Sequence, residues 1–402
     1  MLPSFSISLS FACLACFLAA GLFPALVDLR RAIAIEDGPS GDAPAGGNRE
    51  PIIAIEGELF RAGAAQADIT PEGPIRLNGF GFRRAESEGV AQRIKATALA
   101  IEDAEGRAAL LYAVDSLGVP DELVERVARR LATDEGIPRE RIAITFTHSH
   151  TTPMVRGASP TIFGEPIPAD HLERIDRYTA RLENDLVRIG REALADRRPA
   201  RIGVGRGEVG FARNRRTAGG PVDHDLPVLA VVGDDGRPIA ICATYACHCV
   251  TLSFNHVSGD WAGYAREAIE AELPGAHALI TIGCGADANP DSGVTGGNTD
   301  EARRQGRAIA SEVRRVLSSP LRSLSPRLEC VFSRVELPFA AIPDRKEWER
   351  RATLGGATGH HARVQLERLD RGEEIRTKID YPIGTWTFGE DLAMVFLAGE
   401  VV

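Results

Sequence analysis

Two histidines stand close together in Thr147-His148-Ser149-His150-Thr151-Thr152-Pro153, directly after the apolar run Ile142–Phe146. On an extended chain, side chains at i and i+2 point to the same side. His148 and His150 are therefore expected to project together from a strand end, where α/β proteins place their sites. Neutral imidazoles paired in this way suit zinc, either as two ligands or as one ligand beside one acid/base group. Cys247-His248-Cys249 offers further ligand types. The sulfurs of a C-x-C share one face and the histidine takes the other, so the three do not easily hold one ion. The cysteines read as small buried hydrophobes, and His248 is kept as the candidate ligand.

Other segments carry weaker signals. In Gly283-Cys284-Gly285-Ala286-Asp287-Ala288-Asn289-Pro290, glycines would let backbone N–H groups approach a substrate oxygen, and Asp287 and Asn289 supply polar groups. A plain tight turn explains the same residues. Ser258-Gly259-Asp260-Trp261 reads as a helix start capped by Ser258 or Asp260, which competes with a site role for Asp260. Arg215, in Asn214-Arg215-Arg216, is either a solvated loop cation or part of a pocket. His360-His361 reads as a surface pair.

The elements that must position these residues alternate between strand and helix patterns. Strands are expected at 107–114, 142–146, 202–210, 226–232, 238–250, 279–282 and 328–338. Helices are expected at 120–131, 169–196, 261–273, 300–317 and 344–354. The turn at Gly233–Gly236 reads as a β-hairpin, so a purely parallel sheet is not expected. The fold class is a large mixed α/β domain over about 55–402, with β-sheets flanked by helices. No GxGxxG or GxxxxGK[ST] loop occurs, which leaves a nucleotide cofactor without support. The chain has 402 residues, 47 Lys+Arg against 56 Asp+Glu and a net charge of −9. That balance argues against nucleic acid as a partner, because phosphate binding needs a basic surface.

No charged side chain precedes Asp28. Residues 1–27 read as a signal peptide or membrane anchor, and 28–54 as a polar linker rich in Gly, Pro and Ala. The expected location is therefore outside the cytoplasm: periplasmic, secreted or membrane-anchored. The last residues, LAMVFLAGEVV, form an apolar strand-like run, for which a buried strand is allowed.

Taken in order, several segments resemble the neutral/alkaline (non-lysosomal) ceramidase family. They are Ala62–Pro71 with Asn78-Gly79-Phe80-Gly81, Thr147–Pro153, Asn214-Arg215, Tyr245–Thr251, Gly259–Ala265, Asp287-Ala288-Asn289-Pro290 and Ala398-Gly399-Glu400. The resemblance implies a zinc-dependent amidase that cleaves the N-acyl bond of ceramide-like lipids, at a membrane surface. It assigns His148, His248 and Glu400 as zinc ligands, His150 as the neighbouring acid/base or orienting group, and Arg215 and Asp260 to the pocket. The family's D-V-S-P serine is Asn289 here. Asn289 cannot be acylated, so zinc-bound water is expected to attack directly, with Asp287 and Asn289 beside it and Asn289 donating a hydrogen bond. The family's tyrosine ligand has no match at Tyr264 or Tyr381. The chain is expected to be a catalytic domain incomplete at its C-terminus, with Glu400 on a fraying end. Two other classes stay open: a metal hydrolase of another specificity (phosphoesterase or other amidase), and a catalytically impaired exported binding protein.

Overall fold

The structure is a computed structural model that describes residues 53–402. The expected leader and nearly all of the expected linker lie outside the described residues. β1 (Phe60–Asp68), β2 (Gly89–Val90), β3 (Lys95–Glu102) and β4 (Ala108–Val114) are followed by α1 (Asp121–Glu135), β5 (Ile142–Phe146) and α2 (Ala169–Ala195). Next come β6 (Arg198–Glu208), β7 (Ala212–Asn214), β8 (Asp225–Gly233), β9 (Pro238–Tyr245), β10 (His256–Val257) and α3 (Asp260–Glu272). β11 (His277–Ile282), β12 (Ala288–Pro290), α4 (Thr299–Leu317) and β13 (Arg322–Ser323) continue the chain. It closes with β14 (Leu328–Pro338), α5 (Arg345–Ala352), α6 (Gly356–Asp370), β15 (Lys378–Phe388) and β16 (Leu392–Leu397).

The large sheet has the order β11-β9-β8-β6-β1-β3-β4-β5, with β13 added to β6. Its middle is antiparallel, as the hairpin turn between β8 and β9 requires. Only its end pairs, β9–β11 and β4–β5, are parallel, and each is connected through a helix, α3 or α1. The sheet curls strongly, so that β11 at one end lies near β4 and β5 at the other.

Side-chain alternation shows what the curl buries. On β4, Ala108, Leu110, Tyr112 and Val114 face α1 and α2, whereas Ala109, Leu111 and Ala113 join an inner cluster. On β8, Leu226, Val228, Ala230 and Val232 pack toward α3 and α4, whereas Leu229 and Val231 join the same inner cluster. Both halves of the sheet therefore share one core, in a helix–sheet–sheet–helix arrangement. Many inner residues are alanines (Ala62, Ala64, Ala109, Ala113, Ala143, Ala200, Ala240), small enough to let the halves approach. The carboxyl ends of β5, β9 and β11 consequently open on one edge.

The three-stranded sheet β14-β15-β16 adds Leu328, Trp386, Phe388 and Leu392 to the inner cluster. Trp386 Nε1 donates to the Glu140 carbonyl at 3.0 Å, which ties this sheet to the chain just before β5. Its other face exposes Val331, Val335, Leu337, Ile379 and Val395. The C-terminal apolar run is thus not a buried strand, because β16 pairs with β15 alone among the described strands and buries only Leu392. The expected surface pair at 360–361 is also corrected. α6, which the sequence pattern did not suggest, buries His360 and leaves only His361 exposed, edge-on to Trp348 at 5.6 Å. No helix of the described residues is long and apolar enough to cross a membrane.

The contact of α3 with α4 is close enough to need a glycine. A Cβ on Gly306 would lie 2.7 Å from backbone atoms of Tyr264 and Ala265. Alanine is the better helix former by about 1 kcal/mol, but overpacking costs about 1–3 kcal/mol. Gly306→Ala should therefore lower the denaturant midpoint, and a raised midpoint would mean that the two helices have room to spare.

Candidate metal centre

β5 ends at Phe146, and Thr147 extends its pairing by one bond, from its N–H to the Val114 carbonyl. The chain then turns. His148 has φ +54, so the expected extended geometry of H-x-H is not what joins the two histidines. They meet because the turn is tied on both sides, Ser149 N–H to the Ser116 carbonyl at 3.2 Å and His150 N–H to the Cys249 carbonyl at 3.1 Å. The second bond links the loop after β5 directly to the loop after β9. The ring centroids of His148 and His150 are 4.9 Å apart, and those of His148 and His248 are 5.1 Å apart.

β9 itself stops at Tyr245, so Cys247-His248-Cys249 lies beyond the strand rather than within it. Both cysteines are fully buried. Burial, reinforced by nearby Asp260, pushes their thiols well up, so they remain protonated hydrophobes. His248 donates its N–H to the Ala288 carbonyl at 2.9 Å. The loop after β11 comes this close because Gly285 has no side chain, and a Cβ there would lie 2.5 Å from the Cys247 nitrogen. The expectation that this loop offers backbone N–H groups to a substrate oxygen is corrected at two positions. Gly283 N–H is taken by the Tyr245 carbonyl and Gly285 N–H by the Gly283 carbonyl.

Each histidine is fixed by a backbone carbonyl. His148 Nδ1 lies 2.7 Å from the Leu117 oxygen, and His248 Nδ1 lies 2.9 Å from the Gly285 oxygen. A carbonyl only accepts, so both Nδ1 atoms carry the proton, and in a neutral ring Nε2 is left with a bare lone pair. Yet His148 Nε2 stands 2.8 Å from Glu400 Oε1, and His248 Nε2 stands 3.0 Å from Glu400 Oε2. Lone pairs facing lone pairs need positive charge between them. Glu400 is the solvent-facing member, with 41% of its side chain exposed against 3% for His248. With protons on both rings, His148 and His248 would donate to this carboxyl and hold it far below the usual carboxylate range. The Arg215 guanidinium, 3.9 Å away, favours the same ionised form. Glu400 is held on both sides rather than frayed, by Tyr381 O–H donating to the Ala398 carbonyl (2.7 Å) and Ala286 N–H to the Val401 carbonyl (3.0 Å).

His150 completes the group. Neither of its ring nitrogens has a hydrogen-bond partner, although both are buried. Ligand atoms of His148, His150 and His248 lie within 4.8 Å of one another. Burial, then the neighbouring His148 and His248, push the His150 imidazole down to about 3, so it is neutral near pH 7. Phe80 packs edge-on against it at 5.1 Å, and Arg83 donates to its backbone carbonyl. Two imidazole nitrogens and a carboxylate, each imidazole oriented by a carbonyl at its other nitrogen, form a donor set of the kind zinc takes. The residues present therefore fit a zinc ion at His148, His248 and Glu400.

Of the other sequence-derived candidates, Arg215 and Asp287 belong to one cluster. Arg215 N–H donates to the Asp287 carbonyl at 2.7 Å, and Asn214 Nδ2 donates to the Asp287 carboxylate at 3.0 Å. Asn289 lies on β12 opposite Arg213, one residue after the carbonyl that holds His248, and its Oδ1 is buried without a partner. It therefore turns an acceptor, not only the expected donor, to its surroundings. Asp260 is corrected as a substrate contact. It is fully buried, and its carboxylate accepts N–H groups of Leu252 (2.8 Å) and Trp261 (2.6 Å), while Gly259 is the helix N-cap. Sequence reading missed Leu117, Phe80, Arg83 and Trp261 as parts of the site. Phe80 and Trp261 sit in segments that carry the family resemblance, whereas a backbone carbonyl such as that of Leu117 leaves no sequence signal.

The family model for neutral/alkaline non-lysosomal ceramidase, N-terminal, matches residues 60–281. The chain is 23% identical over 262 residues to the neutral ceramidases of Drosophila pseudoobscura pseudoobscura and Drosophila melanogaster. Those matches cover 59% of this chain and 36% of each relative, so the chain spans well under two thirds of their length. Among solved structures, the neutral ceramidase from Pseudomonas aeruginosa superposes with a TM-score of 0.64 at 18% identity, over 83% of this chain and 61% of that one. A ceramidase complexed with C2 gives the same TM-score and identity, over 83% and 62%. At these identities the structural likeness speaks for the fold.

The neutral state of His150 has a consequence for acid stability. Its pKa is about 3 in the fold against 6.5 for the free group, so between these values the unfolded chain binds the extra proton. Stability then falls as pH drops through that window, by at most about 1.4 kcal/mol per pH unit for one proton. In metal-free protein, His150→Gln should lose less stability than the native chain between pH 6 and 4 (roughly the middle of that window). Equal losses in denaturant titrations would contradict the assignment.

Proposed function

The chain belongs to the neutral/alkaline non-lysosomal ceramidase family, and we propose that it is a zinc-dependent hydrolase of N-acyl amide bonds in ceramide-like lipids. The observation that carries this reading is the convergence of His148 Nε2, His248 Nε2 and both Glu400 oxygens, which needs positive charge among them and has the donor set that a metal cation takes. When bound, zinc supplies Lewis acidity that polarises an amide carbonyl and eases deprotonation of water.

The chain's own residues do the rest. Leu117 and Gly285 hold the two imidazoles in the tautomer that presents Nε2. His150 has two unpartnered ring nitrogens, and the nearby Glu400 carboxylate favours its protonated form against burial; it can accept a proton from the attacking water and return it to the leaving amine nitrogen as the C–N bond breaks. Phe80 packs edge-on against its ring. Arg215, whose backbone N–H is bonded to Asp287, stands 3.9 Å from the Glu400 carboxylate, favours its ionised form and lines the approach. Asn289 takes the place of a serine in the family motif, so a polar group of the substrate meets an amide there.

That same substitution favours a second reading, an amidase of the same chemistry acting on a different N-acyl substrate. The composition of residues 4–27 supports placing the activity outside the cytoplasm, at the surface where such lipids reside.

Zinc-replete protein should release fatty acid from N-acyl sphingosine, and His148→Ala or His248→Ala should lose both bound zinc and turnover. Turnover of other N-acyl amides but not of N-acyl sphingosine would favour the second reading. A folded chain that takes up no zinc, or one that cleaves phosphate esters and no amides, would overturn both.

A further inference from the structure

The two ligand-bearing loops are both fastened to one short stretch, the start of α3. On one side, Ser149 Oγ donates to the Gly259 carbonyl at 2.8 Å, Thr151 Oγ1 donates to the Ser258 carbonyl at 2.9 Å, and Ser258 N–H donates to the Thr151 carbonyl at 2.9 Å. On the other, Trp261 Nε1 donates to the carbonyl of His248 itself at 2.8 Å, and the Asp260 carboxylate takes the Leu252 N–H. Asp260 also accepts the N–H of Trp261, which fixes the indole that reaches His248.

The backbone at this point is unusual. Among the described non-glycine residues only His148, Ser159 and Asp260 have positive φ, at +54, +46 and +56. A residue held in that region costs about 1–3 kcal/mol and persists only where its surroundings over-determine it. Asp260 is also completely buried. A buried carboxylate with no opposite charge in contact is costly unless its oxygens are hydrogen-bonded. Its two oxygens are both used, one on each of two chain segments.

We propose that Asp260, together with Trp261, is a positioning residue of the metal centre: it clamps the loop 248–252 to α3 and so sets where His248 stands relative to His148. The inference rests on the reading of the site as a metal centre. Asp260 does not touch substrate, and its effect passes through the His248 backbone. Asp260→Asn keeps the shape but turns an amide N–H₂ toward one of the two N–H donors, leaving that donor unpaired. Trp261→Phe removes only the bond to the His248 carbonyl and keeps most of the packing.

The test is zinc affinity by competition with a chromophoric chelator, with the absorption spectrum of the cobalt-substituted chain as a readout of ligand geometry. Asp260→Asn should weaken zinc about 10–100-fold, as loss of outer-shell support does, and shift the cobalt bands. Trp261→Phe should change both in the same direction. Trp348→Phe, which truncates a buried indole that packs on His361 and Arg351 in the α5–α6 pair, should leave both unchanged. Should Asp260→Asn fail to fold, Trp261→Phe against Trp348→Phe decides the matter. Native zinc affinity and an unchanged cobalt spectrum in folded Asp260→Asn and Trp261→Phe would overturn the proposal, as would an equal loss in Trp348→Phe. If the native chain itself takes up no zinc, the metal-centre reading fails first and this inference with it.

Discussion

Three groups with nothing but lone pairs to offer, His148 Nε2, His248 Nε2 and the Glu400 carboxylate, are turned toward one another at 2.8 and 3.0 Å. Left neutral and empty, such a cluster repels itself. It is stable only around positive charge, either protons on both rings or a cation, and much of the surrounding structure exists to keep it in place. The carbonyls of Leu117 and Gly285 fix the rings, the Cys249 carbonyl joins the two loops through His150, and two bonds flanking Glu400 hold the carboxylate over them. His150, whose ring nitrogens are buried and have no partners, stands next to this charge as a group able to carry a proton.

Bringing these residues together is a problem of sheet topology. The loops come from β5 and β9, which are far apart in strand order, and only the curl of the sheet places their carboxyl ends on one edge. The curl depends on small inner side chains, and the inner core it creates is capped by Trp386 and Phe388 of the second sheet. That second sheet carries the chain on from β16 to Glu400. The same element thus completes the core and leads to the carboxylate that faces His148 and His248, which couples packing to the site's geometry.

Much of this was legible in the sequence, for reasons that can be stated. The strand 142–146 and the helices starting near Ala169 and Asp300 follow their sequence patterns closely, because their apolar spacing is regular. His148, His150 and His248 were marked by residue type and spacing, and Glu400, Arg215, Asp287 and Asn289 by resemblance. What failed was local geometry. The left-handed turn at His148 is set by bonds to Ser116 and Cys249, which are remote in sequence. Asp260 read as a site residue, yet its carboxylate is consumed by backbone N–H groups that no pattern reveals. α6, with weak amphipathicity and glycines at its start, gives little periodic signal, so nothing in the sequence marks His360 as buried.

The central claim is that two histidines and one carboxylate, and neither cysteine, hold a single zinc ion. X-ray absorption at the zinc edge on the zinc-loaded chain tests it most directly. The account predicts nitrogen and oxygen scatterers alone at about 2.0–2.2 Å, with two imidazole signatures, and loss of one oxygen in Glu400→Ala. A sulfur shell at about 2.3 Å, from Cys247 or Cys249, would contradict it.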